Sequence, residues 1–173
     1  MQDINTILNR TEVENEVKDI LNNFNKEMNN VNFKKGIYIY GAPGSGKTTF
    51  ITNILKELNY DIIKYDAGDV RNKNLIETIT NNNISNRNVL DLMNRKQKKI
   101  AIVMDEIDGM NNGDKGGLTS LIKLIRQKKT KKQKQEDKTM NPIICIGNYI
   151  IDKKIRELIK VCNTYEIKTP SKE

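Results

Sequence analysis

The order of apolar and polar residues along the chain predicts strands that alternate with helices. Five short runs rich in β-branched and other apolar residues are typical of buried strands, and they cover 36–40, 60–65, 100–104, 143–147 and 164–167. Apolar residues at helical spacing predict helices at 48–58, near 74–80 and 85–93, at 118–125 and at 152–160. Strands that alternate with helices form parallel sheets covered on both faces, so the pattern indicates an α/β fold with a mainly parallel sheet.

One more helix is predicted ahead of the first strand. Thr11 and Glu14 have the spacing of a capping box, in which the two side chains cap the start of a helix. The apolar residues that follow at helical spacing are Val13, Val17, Ile20, Leu21, Phe24 and Met28. We therefore expect a helix over 11–30 that begins at this capping box.

The segment 41–49 reads GAPGSGKTT and matches the phosphate-binding loop pattern G-x-x-x-x-G-K-[ST]. It lies between a predicted strand and a predicted helix, as the motif requires. This context argues against a chance glycine-rich turn. Its backbone N–H groups and the helix dipole favour an anion, Lys47 would reach the β- and γ-phosphates, and the Thr48 hydroxyl would bind Mg²⁺. The expected nucleotide-binding residues are Gly41, Ala42, Pro43, Gly44, Ser45, Gly46, Lys47, Thr48 and Thr49.

Polar residues also follow two later strands. The strand at 100–104 is followed by Asp105, which would hold Mg²⁺ through its water shell, and by Glu106, which would orient and polarise the attacking water. The strand at 143–147 is followed by Asn148, which can hold that water or the γ-phosphate. The sequence thus predicts ATP as ligand with Mg²⁺, Lys47, Glu106 and Asn148 as catalytic residues, and Thr48 and Asp105 as metal-binding residues.

Composition narrows the remaining classes of function. The 173 residues suffice for one domain, and the net charge of +8 favours acidic partners such as nucleic acid. The chain contains no histidine, which excludes histidine acid–base catalysis and histidine-ligated zinc. The two cysteines show no C-x-x-C pairing, and Cys145 is expected to be buried. With no secretory signal and no apolar stretch of membrane-spanning length, we expect an intracellular protein of the nucleus or cytoplasm that binds no membrane.

These motifs resemble those of AAA+ ATPases, in which a Glu follows the metal-binding Asp and an Asn ends the next strand. The segments DEIDGM at 105–110 and KGG at 115–117 are more specific and resemble large subunits of the eukaryotic clamp loader replication factor C. This resemblance extends over roughly 13–170. It implies a P-loop NTPase of AAA+ type whose five strands have the order 5-1-4-3-2. Residues 1–173 would form one AAA+ core domain with no lid domain.

The resemblance also implies a function and partners. The chain would be the ATP-binding and ATP-hydrolysing core of a clamp-loader-like replication protein, and its partners would be other AAA+ clamp-loader subunits, a sliding clamp and primer-template DNA. Small subunits carry a Ser-Arg-Cys motif, and this chain has Lys160-Val-Cys162 at the corresponding place. The Arg of the motif is therefore missing here, as it is in large subunits. We therefore expect slow turnover alone and an arginine supplied in trans.

Two other functions remain open at this point. One is a nucleotide-gated scaffold without hydrolysis, which Glu106 argues against because a binder needs no base. The other is a different replication AAA+ protein, an initiator or helicase loader; the KGG and DGM segments favour the clamp loader over it.

DNA contacts are expected at two helix starts. In clamp loaders the helix that follows the Asp-Glu pair faces the central channel, which places Lys115, Gly116 and Gly117 near the duplex backbone. Arg71 and Lys73 begin another short helix and could act in the same way. The segment 128–138 contains no apolar residue and reads as a basic inserted loop, extending to about 140. It is either a solvated surface loop or a further phosphate contact, and the lysines are otherwise ordinary solvated charges.

Overall fold

The fold is a parallel sheet between two layers of helices. The structure is a computed structural model that describes residues 8–66, 99–111, 117–128, 130–134, 139–148 and 152–169. In chain order its elements are α1 (Thr11–Glu27), β1 (Gly36–Tyr40), α2 (Lys47–Glu57), β2 (Tyr60–Tyr65), β3 (Lys99–Met104), a 3-10 helix (Ile107–Asn111), α3 (Gly117–Ile125), α4 (Lys131–Lys134), β4 (Ile143–Gly147), α5 (Lys153–Val161) and β5 (Cys162–Glu166).

The five strands form one sheet with the order β2-β3-β4-β1-β5. Every pair of neighbours is parallel, with β1 between β4 and β5. This is the expected order 5-1-4-3-2 read from the other edge, so the predicted fold is confirmed. Because all the strands run the same way, their carboxyl ends lie along one edge, where ligands bind in open parallel sheets.

Successive residues of each strand point to opposite faces, so the two faces carry separate cores. On one face Tyr38 packs with residues of α3 and α5. On the other face Ile37 and Ile39 pack with residues of α1 and α2. Cys145 is fully buried in the first core, as predicted. The strands therefore read as continuous apolar runs because both of their faces are covered.

The start of α1 differs from the prediction. The N-cap is Arg10 rather than Thr11, and no side chain caps the helix. The carboxylate of the buried Glu14 pairs with the Lys18 ammonium at 2.7 Å. The backbone carbonyl of Arg10 accepts the first helical hydrogen bond, from the Glu14 N–H at 2.9 Å. The capping box was thus wrong, although the helix itself was predicted correctly.

Other boundaries shift by one to three residues. Helix α1 ends at Glu27 rather than 30, and β5 covers Cys162–Glu166 rather than 164–167. A short 3-10 helix follows β3, and α4 lies inside the predicted basic loop. The helices predicted near 74–80 and 85–93 lie outside the described residues. Among the helices that are described, none has the length and apolar character needed to cross a membrane.

Candidate functional site

The phosphate-binding loop connects the carboxyl end of β1 to the first turn of α2. Gly44 and Gly46 have φ values of 75° and 81°, left-handed conformations that glycine adopts without a steric penalty. The Ser45 N–H donates to the Ala42 carbonyl at 3.2 Å and closes the turn. Ala42, Pro43 and Gly44 are exposed, so the outer part of the loop is open to a ligand.

The Lys47 ammonium lies at the centre of this loop. It donates to the carbonyl oxygens of Gly41 at 3.0 Å and Ala42 at 2.9 Å, and to Oδ1 of Asn148 at 3.0 Å. The side chain is buried, and burial lowers the pKa of Lys47, while the charges of Asp108 and Asp105 oppose that shift. The ammonium is therefore a desolvated cation whose charge a bound phosphate would stabilise.

Thr48 and Asp105 meet where a metal ion would be needed. The Thr48 hydroxyl donates to Oδ2 of Asp105 at 3.0 Å, and the Lys64 ammonium is also 3.0 Å from Oδ2. The other carboxylate oxygen, Oδ1, accepts the Glu106 N–H at 3.0 Å. A hydroxyl beside a carboxylate is the set of hard oxygen ligands that Mg²⁺ prefers, so these two residues fit the predicted metal role.

Glu106 follows Asp105 with a φ of 54°, a left-handed conformation that is rare for a residue with a side chain. Its carboxylate is exposed, whereas that of Asp105 is buried. The two adjacent carboxylates therefore lie in different environments, one beside Thr48 and one open to solvent, as separate roles in metal binding and water activation require.

Asn148 lies at the end of β4 and contacts Lys47 across the site. Its backbone N–H donates to Oδ2 of Asp108, in the 3-10 helix after β3. The Tyr38 side chain lies beside the same carboxylate, since a Cβ added at Gly147 would come within 2.6 Å of Oδ1 of Asp108 and would overlap the Tyr38 hydroxyl. Burial raises the pKa of Tyr38, as does the charge of Asp108, so this hydroxyl stays protonated.

Three residues of this site were missed by the sequence analysis: Asp108, Lys64 and Arg10. Asp108 is the third residue after Asp105, and only the 3-10 helix brings it under Asn148. Lys64 interrupts the apolar end of a strand, and this single charge is a sequence signal that could have indicated a functional residue. The hydrogen bond to Asp105 raises the pKa of Lys64. Arg10 has no motif, yet its guanidinium reaches the Ser45 carbonyl at 2.9 Å.

The residues predicted to contact DNA are placed only in part. Gly117 is the first residue of α3 and is buried. Lys115, Gly116, Arg71 and Lys73 lie outside the described residues. The expected DNA contacts therefore stay predictions.

The described part of the site brings an ammonium, a hydroxyl, two carboxylates and an amide to the carboxyl edge of the sheet. These groups are those of Lys47, Thr48, Asp105, Glu106 and Asn148, which the sequence analysis had selected. They lie in the first turn of α2 and directly after β3 and β4, and β1, β4 and β3 are adjacent in the sheet. Together they can bind a polyphosphate, hold a divalent cation and orient a water.

Comparison with known proteins agrees with this chemistry. Residues 37–169 match the family described as "ATPase family associated with various cellular activities (AAA)". The replication factor C large subunit of Methanococcus aeolicus is 31% identical over 154 residues, covering 88% of this chain and 29% of that protein. Replication factor C subunit 1 of Saccharomyces cerevisiae is 34% identical over 139 residues, covering 76% of this chain and 15% of that protein.

A solved structure supports the fold. Caenorhabditis elegans PCH-2 superposes with a TM-score of 0.59 at 17% identity, covering 99% of this chain and 45% of that one. The chain thus spans less than a third of the length of the replication factor C relatives described above. From its matched family and these relatives, the chain belongs to the AAA family of ATPases and is similar in sequence to the large subunit of replication factor C.

Proposed function

We propose that the chain is the ATP-binding and ATP-hydrolysing core of a clamp-loader-like DNA replication protein. The observation that carries the proposal is the pair of contacts that close the site, Lys47 to Asn148 and Thr48 to Asp105, each at 3.0 Å. They bring the phosphate-binding loop together with the ends of β3 and β4. Phosphoryl transfer depends mainly on positioning and charge stabilisation, which this arrangement provides.

Each residue has a role in the proposed reaction. The loop N–H groups and Lys47 bind the β- and γ-phosphates, and Thr48 and Asp105 hold Mg²⁺. When bound, Mg²⁺ supplies positive charge that neutralises the phosphate oxygens. Glu106 orients a water against the γ-phosphate and accepts its proton.

Lys47 also links nucleotide binding to Asn148. An ammonium has three protons, and Lys47 donates to three acceptors. A phosphate oxygen must therefore replace at least one of them. The flexible side-chain amide of Asn148 is released more easily than either loop carbonyl, and it is then free to contact the γ-phosphate or the attacking water.

Partners enter the proposal through the relatives. Their names place them in replication factor C, so we propose that this chain assembles with other AAA+ subunits, a sliding clamp and primer-template DNA. The chain has Val161 between Lys160 and Cys162, where small subunits carry the Arg of Ser-Arg-Cys. An arginine from a neighbouring subunit would complete the site, and such a residue raises turnover by about 10³–10⁵-fold in related reactions.

Calorimetry of Mg-ATP binding tests the nucleotide site. Lys47→Ala removes the charge that faces the phosphates, and we expect binding to weaken by at least about 1.5–3 kcal/mol, the usual scale for a hydrogen bond to a charged group. Lys56→Ala is the matched control, because Lys56 is exposed in the last turn of the same helix. Equal affinity of wild type and Lys47→Ala would reject the site.

A further inference from the structure

Arg10 is a buried cation that lies against the outer side of the phosphate-binding loop. Arg10 is 6% exposed. Burial lowers the pKa of its guanidinium, which nevertheless stays protonated. Nη2 donates to the Ser45 carbonyl at 2.9 Å and to the Lys168 carbonyl at 2.8 Å. No carboxylate among the described residues forms an ion pair with it. Within the described part of the chain its partners are thus backbone carbonyls, one in the loop and one just after β5.

The contact with Ser45 determines the direction of a neighbouring N–H group. A trans peptide unit is planar, and its C=O and N–H point in opposite directions. The Ser45 carbonyl points outward to Arg10, so the N–H of Gly46 in the same peptide unit points away from Arg10. Gly46 has a left-handed φ of 81°, a conformation that a contact can select in a residue without a side chain.

The contact with Lys168 extends this arrangement to the end of β5. The Ile167 N–H donates to the Tyr40 carbonyl at 2.7 Å, directly before the loop. A Cβ at Gly41 would overlap the Ile167 carbonyl, so the backbone at 167 packs directly against the loop. Arg10 therefore bridges two segments, the loop and the exit of β5, that already touch each other.

We propose that Arg10 is a positioning residue that aims the Gly46 N–H at a nucleotide phosphate and couples this orientation to the segment after β5. The inference rests on the proposed nucleotide binding at this loop. A role limited to holding the fold together does not explain the arrangement well. The Arg10 Nε and the Ser45 hydroxyl are buried with no hydrogen-bond partner among the described residues, and such groups cost stability.

The test compares nucleotide affinity in folded variants. Arg10→Gln removes the guanidinium, and Arg10→Lys keeps the charge but ends about one bond length short of the Nη2 position. Lys26→Gln is the matched control, since Lys26 is an exposed cation in the last turn of the same helix. Mg-ADP and Mg-ATP dissociation constants are measured well below each unfolding midpoint, and the Gly46 amide proton is followed by NMR in ¹⁵N-labelled protein.

We expect Arg10→Gln and Arg10→Lys each to weaken binding by roughly tenfold, about the effect of one charge-assisted hydrogen bond. In both Arg10 variants, the chemical-shift change of the Gly46 amide on addition of nucleotide should be much smaller than in wild type. Lys26→Gln should behave as wild type. A purely structural Arg10 would lower the unfolding midpoint and leave the dissociation constants unchanged. That result would overturn the proposal, as would full recovery of affinity in Arg10→Lys, since charge alone would then explain the effect.

Lys47→Ala, measured in parallel, separates the two levels of the proposal. If Lys47→Ala binds nucleotide normally, the loop is not the nucleotide site and the proposed function fails with the inference. If Lys47→Ala loses binding while Arg10→Gln retains it, the nucleotide site stands and only the role of Arg10 is rejected.

Discussion

Glu106 has a backbone conformation that its side chain disfavours. The other described non-glycine residues with positive φ are Asn9 and Asn59, and asparagine tolerates the left-handed region better than most residues. A glutamate there costs free energy of order 1–3 kcal/mol unless surrounding contacts hold it. Strain of this kind occurs frequently at active sites. The conformation is therefore consistent with a functional role for Glu106.

Glu106→Gln should separate binding from hydrolysis. The amide keeps the shape of the side chain but accepts no proton, so we expect ATP affinity to be retained and turnover with partner subunits to fall by about 10²-fold or more. A phosphate-release assay and calorimetry measure the two quantities. Glu12→Gln, an exposed residue in the first turn of α1, controls for the loss of one negative charge. Hydrolysis at the wild-type rate in Glu106→Gln would place the base elsewhere.

Asp108 should act on turnover through Asn148, because its carboxylate accepts a hydrogen bond from the Asn148 backbone N–H. Asp108→Ala removes the acceptor, and we expect reduced turnover with nucleotide affinity changed less than threefold, about 0.7 kcal/mol. Asp108→Asn removes the same charge but keeps an oxygen acceptor, so it should recover most of the activity. If both variants lose activity equally, the charge of Asp108 matters and the hydrogen bond to Asn148 does not.

At the scale of elements, strands were easier to predict than helix ends. The predicted strands at 36–40, 60–65 and 143–147 have the observed limits. Two of them, 36–40 and 143–147, are unbroken apolar runs, and 60–65 is rich in isoleucine and tyrosine although Asp61 and Lys64 interrupt it. The predicted start of α1 was wrong because the residues of the capping box pattern and the residue before it make other contacts. Arg10 donates to the phosphate-binding loop, a long-range contact that nearby sequence does not show, and Glu14 pairs with Lys18 one helical turn further along.

The contact between α1 and α2 gives a pH-dependent prediction. Lys18 lies 2.7 Å from Glu14 in α1 and 2.8 Å from Glu57 at the end of α2. Hydrogen bonds to Glu14 and then Glu57 raise the pKa of Lys18. A raised pKa in the folded state means that this stabilisation is fully present below the unfolded value of about 10.5 and is lost as pH rises through the folded value.

We therefore expect Lys18→Gln to lower the free energy of unfolding by about 0.5–1 kcal/mol at pH 7, the scale of a well-formed surface ion pair. The difference from wild type should shrink above pH 10.5. Urea unfolding of both proteins at pH 7, 9 and 11 measures it, with Lys26→Gln as control. A difference that stays constant up to pH 11 would show that packing of the Lys18 chain, and not its charge, is responsible.

At the scale of the whole molecule, the net charge of +8 concerns association rather than fold. We expect weak, sequence-independent and salt-sensitive binding to primer-template DNA. Removing one phosphate contact flattens the slope of log K against log salt by about 1. Lys115→Ala should do so if the start of α3 tracks the duplex backbone.

Fluorescence anisotropy with primed DNA at several salt concentrations measures that slope. Lys123→Ala, at the exposed far end of α3, removes the same charge away from the proposed contact. Replacing 128–138 by a neutral linker tests the basic loop separately. If Lys115→Ala changes neither affinity nor slope while the loop replacement abolishes binding, the contact is diffuse attraction by the loop.

The motifs of this chain predict the proposed chemistry because each is local in sequence. A phosphate-binding loop needs its glycines, Lys47 and Thr48 within one turn, and Asp105 and Glu106 are adjacent, so spacing alone identifies them. Alternation of apolar runs determined the fold class, since parallel sheets require buried strands separated by helices.

Only the tertiary structure decided which distant groups meet. The sheet order places β4 between β1 and β3, which brings Asn148 to Lys47 across 101 residues of sequence. It also brings Lys64 to Asp105, and Arg10 to Lys168 across 158 residues. Such contacts depend on how strands order and helices pack, and they leave no local pattern because backbone carbonyls and single charged residues occur everywhere along a chain.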